Sequence, residues 1–487
     1  MELKKVLSGI EGLKAKGNLD IDIKKIESDS KKISEGDMFV AIEGFDKDGH
    51  EYIDEAVKNG AKVIVIQEGS KILKEKLNDD ITVIMGKDTR ELLAKIACNF
   101  YNNPSRKFKL IGITGTKGKT TTSYMLKAIL EKQGQKVGMI GTIANYIGDE
   151  KISDSARTTP ESIELQSILS KMASENVDTV IMEVSSQSLK LNRVDGCDFD
   201  IGIFTNFSKD HISEKEHIDM EDYYNSKVKL FTMCKTAYIN TDDFYVAKLK
   251  HMDLPCEIKT YGIDNIADLI AKDITVTNVT SDFKVKIGMR NERIKVSIPG
   301  RYSVYNSLAA ISVALKFGID AEKIKEALGN IYVPGRSEIV PNKKGLTIMI
   351  DYAHTPESLE NILQTVKSYT RGRVISVFGC GGDRDKTKRA IMGEISGKIA
   401  DFTIITSDNP RTENPKEIIE QIEEGIKKAN DKYTTIVDRK EAIKYAISMA
   451  TKADIIVLAG KGHETYQEIN GERHHLDERE IIKQIIK

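Results

Sequence analysis

Gly112 to Thr122 read GITGTKGKTTT, and these residue types at this spacing suit the phosphates of a nucleotide. The apolar run FKLIGIT leads in and a helical period over 120–134 leads out. Glycines free the backbone to wrap phosphate oxygens, and a helix N-terminus adds its dipole. Gly115, Thr116, Lys117 and Gly118 then form the cradle, and Lys119 reaches the β- and γ-phosphates. The hydroxyl of Thr120 or Thr121 takes Mg²⁺. The spacing departs from GxxxxGK[ST], because Ile113 stands where the first glycine is expected. A glycine-rich turn that only joins strand to helix is the plainer alternative. The strand before and the helix after favour phosphate.

Other residues carry chemistry by type and place. In EDYYNSKVKLFTMC, Tyr223, Tyr224, Lys227, Leu230 and Phe231 fall three and four apart, so Lys227 shares the apolar face of a helix. A buried amine is costly as a cation, and the neutral amine can add CO₂ to form a carbamate. The alternative is a lysine whose stem passes the tyrosines to reach water. Glu183 follows the apolar run DTVIM, and His211 follows DIGIFTNFS. Both stand at carboxyl ends, where ligands of parallel sheets gather. Taken singly, such residues are more often a surface acid or a hydrogen-bonded core ring. Three further loops, GCGGDRDK, SDNPR and GKGHE, each close an apolar run, and in an open parallel sheet such ends face one crevice. Arg384, Asp408, Asn409, Arg411, Gly460 and Glu464 would line it, with Pro410 stiffening the loop. Two guanidinium groups and two carboxylates suit a zwitterionic amino acid. An internal ion-pair network closing the sheet is the alternative. GCGG is not the GxGxxG of a dinucleotide site.

The elements that must position these residues follow from the alternation of short β-rich runs with helical periods. DMFVAI (37–42) and KVIVIQ (62–67) read as strands with a helix over 51–61 between them, and NNPSRK (102–107) as a linker. The pattern continues through VDTVIMEVSS (177–186) and DIGIFTNFS (200–208), then breaks at YVPGRSE (332–338). Four apolar runs follow: LTIMIDY, RVISVFG, DFTIITSD and ADIIVLAG. Strands alternating with helices imply mostly parallel sheets covered on both faces. The expected fold is α/β in three domains, 1–103, 104–334 and 335–487. The central one is a P-loop ATPase domain and the last is Rossmann-like.

With 73 basic and 74 acidic residues, the chain lacks the basic excess of a general nucleic-acid binder. Five scattered cysteines without a CxxC pair favour a reduced, cytoplasmic protein. The N-terminal residues MELKKVLSGIEGLKAKG lack the apolar stretch of a signal peptide, and no apolar run approaches a membrane span.

The loop variant TGTKGKTT resembles the ATP loop of the Mur ligases, which add amino acids to the peptidoglycan precursor, and of their folylpolyglutamate synthetase relatives. The resemblance extends along the chain through MEVSSQSLKLNRV (182–194), FTNFSKDH (204–211), YNSK (224–227), PGRSE (334–338), DYAHTPESL (351–359), FGCGGDRDKTKR (378–389), DNPRTE (408–413) and GKGHETYQ (460–467). These motifs look like the ligase that acts third. The resemblance implies ATP-dependent addition of meso-2,6-diaminopimelate to the D-Glu γ-carboxylate of UDP-N-acetylmuramoyl-L-alanyl-D-glutamate, through an acyl phosphate, in cytoplasmic peptidoglycan precursor synthesis. It implies Mg²⁺ at Thr120, Glu183, His211 and a carbamate on Lys227 (N6-carboxylysine), with Lys119 also catalytic. The nucleotide-sugar peptide would meet Ser30, Thr158, Thr159, Ser185 and Arg193, although Leu191 replaces an often polar residue. Short hydroxyl runs are otherwise usual in loops and caps. Asn306, Arg336 and Asp351 would contact adenine, phosphate and ribose, with domain closure completing the ATP site. Arg384, Asp408, Asn409, Pro410, Arg411, Gly460 and Glu464 would hold diaminopimelate. The first domain would bind the UDP sugar, the second ATP and the third the amino acid. The segment DHISEKEHIDM is about two residues longer than the family pattern, which leaves His217 without a role.

Rival readings are the same ligase using L-lysine, a folylpolyglutamate synthetase, a P-loop ATPase module without ligase activity, and a non-catalytic muropeptide-binding protein. DNPR favours diaminopimelate, because the lysine form usually lacks that arginine. The expected partners are small molecules only, with neither nucleic acid nor membrane, and the expected state is a monomer.

Overall fold

In the computed structural model, residues 1–70, 80–213 and 216–486 are described, so residues 214 and 215 of the lengthened loop lie outside it. The fold is α/β, built on mostly parallel sheets in three domains. By compactness the chain divides into two units, Met1–Leu269 with Ala309–Ile319, and Ile270–Leu308 with Asp320–Lys487.

The first unit holds two sheets. In the N-terminal one the strands run in the order Lys14–Lys16, Thr82–Gly86, Val63–Gln67, Met38–Val40, Ile26–Glu27, parallel except at the Lys14–Lys16 edge. Its strands are apolar on successive residues because both faces are covered. Val63 and Val65 enter one core and Ile64 and Ile66 the other. The helix expected over 51–61 is a 3-10 turn, Gly49–Tyr52, running into helix Ile53–Lys58. The expected linker takes form as Asn102 and Asn103 in left-handed backbone followed by the 3-10 turn Pro104–Arg106.

The second sheet of this unit orders its parallel strands Glu257–Gly262, Cys234–Asn240, Phe199–Phe204, Lys109–Thr114, Thr179–Glu183, Val137–Ile140. Ala144–Ile147 and Glu150–Asp154 then add an antiparallel margin. The strand Lys109–Thr114 lies between two later strands, so chain direction across the sheet reverses there. Such a switch point opens a crevice at the carboxyl ends. Thr114, Glu183 and Phe204 are the residues at those ends.

The other unit contains a parallel sheet ordered Thr347–Asp351, Ile455–Ala459, Val374–Phe378, Phe402–Ile405, Tyr433–Thr435, edged by antiparallel Glu338–Ile339. Alternate residues again divide between two cores, Met349, Val374 and Val457 on one face and Ile348, Ile375 and Ile456 on the other. Two antiparallel features add to the parallel pattern. Strands Leu269–Val276, Ser281–Ile287 and Arg290–Val296 form a meander, and Tyr466–Ile469 pairs with Glu472–His475 in a hairpin. Among the described residues no helix is long and apolar enough to cross a membrane.

Candidate active site

Strand Lys109–Thr114 leads into Gly115 at φ +143°, where a Cβ would collide with Thr205 Oγ1. Gly118, at φ +85°, caps helix Lys119–Lys132. Only glycine takes such backbone freely, and the loop therefore turns into the helix within four residues. The chain after Phe204 pins the loop from outside. Thr116 N donates to Asn206 O at 2.9 Å, and Lys117 N donates to Asn206 Oδ1 at 2.9 Å. Lys119 Nζ donates to the carbonyls of Gly115 (2.8 Å) and Thr116 (3.1 Å), so its ammonium folds over its own loop. Thr120 and Thr121 lie buried in the first helical turn.

Glu183, the last residue of its strand, is a buried hub. Thr120 Oγ1 donates to its Oε2 at 2.9 Å, and Thr142 donates through N (3.1 Å) and Oγ1 (3.0 Å). Thr142 Oγ1 lies 3.1 Å from Thr158 Oγ1. The Thr159 hydroxyl donates to Glu183 O at 2.9 Å and accepts from Ser185 N at 3.0 Å. Ser185 Oγ in turn caps helix Ser186–Lys190. Arg193 is buried, donates to Thr159 O at 3.3 Å and pairs with Glu161 at 2.8 Å. The phosphate-loop threonine, the carboxylate and the threonine pair thus form one network. Ser30, on the N-terminal sheet's domain, donates its hydroxyl to Glu55 Oε2 and stands apart from these bonds.

Lys227 lies fully buried on helix Met220–Val228. Its Nζ donates to Gly115 O at 3.0 Å and sits 4.5 Å from the Tyr223 ring centre. Burial, and then the nearby Lys119 ammonium, push its pKa well below the usual lysine range. The amine is therefore disposed to be neutral. Tyr223 OH lies 3.2 Å from Thr116 Oγ1, which ties this helix to the loop. His211 is half-exposed, at φ +57°, with Nδ1 3.1 Å from Glu216 Oε1. It stands seven residues beyond strand Phe199–Phe204, outside the Thr120–Glu183 network. Asp210 beside it pairs with Lys117 at 2.9 Å. Burial opposes its ionisation, but Lys117 and His211 outweigh that and hold its carboxyl at about 2. His217 is buried, with Nε2 2.9 Å from Ser186 Oγ and Nδ1 3.4 Å from Asp222.

Magnesium takes oxygen ligands and few from protein. Thr120 Oγ1 and Glu183 Oε2, already 2.9 Å apart, are of that type. Among the described residues no three His, Cys, Asp or Glu side chains are arranged to hold a metal ion by themselves. A hydroxyl and one carboxylate beside a phosphate loop fit a Mg²⁺ that completes its shell with phosphate and water.

In the second unit, Asp351 ends its strand and accepts from Ser337 N (2.7 Å) and Ala353 N (3.0 Å), while burial raises its carboxyl pKa. The Arg336 guanidinium lies over the Tyr352 ring at 4.7 Å. Asn306 is buried on helix Arg301–Lys316. The loops 406–415 and 459–464 converge. Asp408 and Asn409 are buried, Asn409 Nδ2 donates to Glu464 Oε2 at 2.9 Å, and a Cβ on Gly460 would meet Asp408 Oδ2 at 2.4 Å. Lys461, which sequence reasoning passed over, is at the centre. Its buried ammonium donates to Glu464 Oε2 (3.2 Å) and Tyr466 O (2.6 Å) and lies 3.7 Å from Asp408. Arg411, after buried Pro410, donates through Nη1 to Gly382 O (2.7 Å) and through Nε to Glu468 Oε2 (3.2 Å). Arg384 is exposed and does not join this cluster. The arginine packed beneath the loops is Arg389, fully buried against Glu413 at 2.9 Å. Part of the charge pattern is thus an internal network that closes the sheet edge.

Thr142 was also missed, although like Glu183 it is a polar residue at the carboxyl end of an apolar parallel strand, two residues beyond Val137–Ile140. That signal is weaker in GTIAN, where nothing but position marks the threonine.

Residues 22–101 match the family described as Mur ligase family, catalytic domain, residues 113–314 the Mur ligase middle domain, and residues 335–462 the Mur ligase, glutamate ligase domain. The chain belongs to the Mur ligase family. It is 50% identical over 487 residues to the UDP-N-acetylmuramoyl-L-alanyl-D-glutamate–2,6-diaminopimelate ligase of Caldanaerobacter subterraneus, covering 100% of this chain and 99% of that one. A ligase of the same description from Clostridium acetobutylicum is 48% identical over 490 residues, covering 100% and 99%. Among solved structures, a UDP-N-acetylmuramoyl-L-alanyl-D-glutamate–2,6-diaminopimelate ligase superposes with a TM-score of 0.70 at 28% identity, over 100% of this chain and 98% of that one.

Proposed function

We infer that this chain is an ATP-dependent ligase that joins meso-2,6-diaminopimelate to the D-Glu γ-carboxylate of UDP-N-acetylmuramoyl-L-alanyl-D-glutamate. The observation that carries the reading is the network Thr120–Glu183–Thr142–Thr158, which links a phosphate loop to a hydroxyl-rich loop within one compact unit. A phosphoryl group passing from ATP to a carboxylate needs both partners held side by side. Full-length identity of 50% to a diaminopimelate ligase supports the choice of amine.

Amide formation from a carboxylate is uphill in water. In this reading ATP phosphorylates the γ-carboxylate, the amine attacks the acyl phosphate carbon, and phosphate leaves. Mg²⁺, when bound by Thr120 and Glu183, supplies positive charge against the phosphate oxygens. On binding ATP, the Lys119 ammonium exchanges its loop carbonyls for phosphate oxygens. Lys227 as the neutral amine adds CO₂, forming an N–C bond and releasing a proton; the carbamate places oxygens beside Gly115. His211 would serve as a further metal ligand, a role that requires it to leave Glu216.

Thr158, Thr159, Ser185 and Arg193 would receive the dipeptide end of the nucleotide-sugar substrate, and Ser30 the uridine diphosphate end. Residues 1–103, 104–334 and 335–487 would then serve UDP sugar, ATP and amino acid in turn. Asn306, Arg336 and Asp351 would hold adenine, phosphate and ribose. Asp408, Asn409, Gly460 and Glu464 would take the ammonium pole of the amino acid, and Arg411 a carboxylate; Arg384 would have to turn in from its exposed position to meet the other. A cytoplasmic monomer acting on small molecules, without nucleic acid or membrane, is the setting this chemistry suits, since all three substrates are soluble.

Phosphate release with ATP, Mg²⁺ and the UDP-muramoyl dipeptide tests the reading, with each amine added separately. meso-Diaminopimelate should drive turnover at least about 100-fold better in kcat/KM than L-lysine, because lysine leaves Arg411 without its carboxylate. Turnover driven by lysine and indifferent to diaminopimelate would overturn the substrate assignment.

A further inference from the structure

We propose that Glu468, on the hairpin that follows the GKGHE loop, is the positioning residue that sets Arg411 to recognise the second carboxylate of the amino-acid substrate. This rests on the reading above that Arg411 meets that carboxylate. Arg411 has φ +51°, a left-handed backbone that a residue with a side chain adopts only when its surroundings hold it there. The hairpin supplies that hold. Arg411 N donates to Glu468 O at 3.0 Å, and Asn470 N donates to Arg411 O at 2.9 Å, so the loop and strand Tyr466–Ile469 lie side by side as a parallel bridge. Glu468 N also donates to Asn409 Oδ1 at 2.9 Å, which fixes the same strand to the preceding turn of the loop.

The side chain is aimed by the same residue. Glu468 Oε2 accepts from Arg411 Nε at 3.2 Å, and Gly382 O accepts from Nη1 at 2.7 Å. One anchor is a carboxylate on the inner edge of the guanidinium and the other a carbonyl at one tip, and together they fix the plane of the group. The outer edge, carrying Nη2 and the second Nη1 proton, is not used by these anchors. That edge is the one a carboxylate binds with two parallel hydrogen bonds. Arg411 retains 22% exposure, so a ligand can reach it. Without Glu468 the guanidinium would swing about its long stem and lose the preorganisation that makes a planar fork selective.

The test is steady-state kinetics of the full chain carrying Glu468→Ala, Glu468→Gln, Arg411→Ala and the Glu468→Ala/Arg411→Ala pair, each checked by thermal melting. Glu468→Ala should raise KM for meso-diaminopimelate about 10-fold, with kcat and the ATP KM within about twofold of the parent. Glu468→Gln, whose amide oxygen still accepts from Nε, should recover most of that loss. The double variant should match Arg411→Ala alone, because Glu468 acts through the arginine. An unchanged diaminopimelate KM in Glu468→Ala, beside a raised one in Arg411→Ala, would overturn the proposal and leave the carboxylate reading intact. An unchanged KM in Arg411→Ala itself would sink that reading, and this proposal with it. If the alanine variant does not fold, Glu468→Asp decides: its carboxylate falls short of Nε, and a KM equal to the parent's would count against positioning.

Discussion

Lys227 keeps its amine out of water on a helix whose neighbours Tyr223 and Val228 are also buried. Its Nζ donates to the backbone carbonyl of Gly115, and the charge that shifts it most is another ammonium, Lys119. A site built only for stability would not hold a cation this way, since burial penalises the charged form. The sign of the resulting pH dependence follows. The folded pKa lies below the usual 10.5, so between the two values the unfolded chain binds the extra proton. Stability therefore rises with pH across that window, and at neutral pH the buried lysine costs stability. Lys227→Met, similar in reach and apolar, should melt about 2 °C or more above the parent near neutral pH in CO₂-free buffer, with the gap closing as pH climbs toward 10.5. The same variant should lose ligase activity and the ¹³C carbamate signal expected of the parent under ¹³CO₂. A melting point that falls at neutral pH would contradict the energetic argument, and a surviving carbamate signal would contradict the chemical one.

At the scale of elements, the strands matter because their ends carry the site. Ile455–Ala459 delivers Gly460 and Lys461, and it is anchored at its start by Asp454. That carboxylate accepts from Arg373 N (2.7 Å), Arg373 Nη2 (2.8 Å) and Thr451 N (2.9 Å). Burial opposes its ionisation, but these donors win and hold it at about 2. A depressed acid contributes stability that is complete above the unfolded pKa, near 4, and is lost as pH falls toward 2. Asp454→Asn should therefore lower stability by about 1 kcal/mol at pH 6, kept modest because Arg373 is partly exposed. Chemical denaturation from pH 6 to pH 2.5 should show the difference shrinking; a constant difference would rule out the charge as its source. The same scale explains what could be read in advance. The phosphate loop was readable because strand, glycines and helix are adjacent in sequence and each obeys a local rule. The hairpin Tyr466–His475 and the meander over 269–296 were not, although Phe283, Val285 and Ile287 alternate with charged residues. Helix–strand alternation dominates the chain, and a short antiparallel pair declares itself only through its partner. Lys461 escaped for a related reason: a lysine between two glycines looks like a loop cation, and it is buried only because Asp408, Asn409 and Glu464 converge on it from separate loops.

For the molecule as a whole, the division into two compact units carries a consequence for how lesions combine. The network around Glu183 and Thr158 lies in the unit Met1–Leu269 with Ala309–Ile319, and the cluster around Asp408, Arg411 and Lys461 lies in the other. Thr158 has Thr142 as its side-chain partner, and Arg411 has Gly382 and Glu468, so the two residues share none. Sites without shared partners combine additively, within about 0.5 kcal/mol. Thr158→Ala should raise KM for the UDP-muramoyl dipeptide by roughly 3–10-fold, the range for one uncharged hydrogen bond, and leave diaminopimelate nearly untouched. Arg411→Ala should raise KM for diaminopimelate by roughly 10–100-fold, because a charge-assisted fork is lost, with the dipeptide and ATP values nearly unchanged. In the double variant the two increases should multiply, each still confined to its own substrate. Matched titrations of all three substrates in the four proteins measure this directly. If Arg411→Ala moved the dipeptide KM as far as its own, recognition of the two substrates would be one coupled event, and assigning them to separate units would be mistaken.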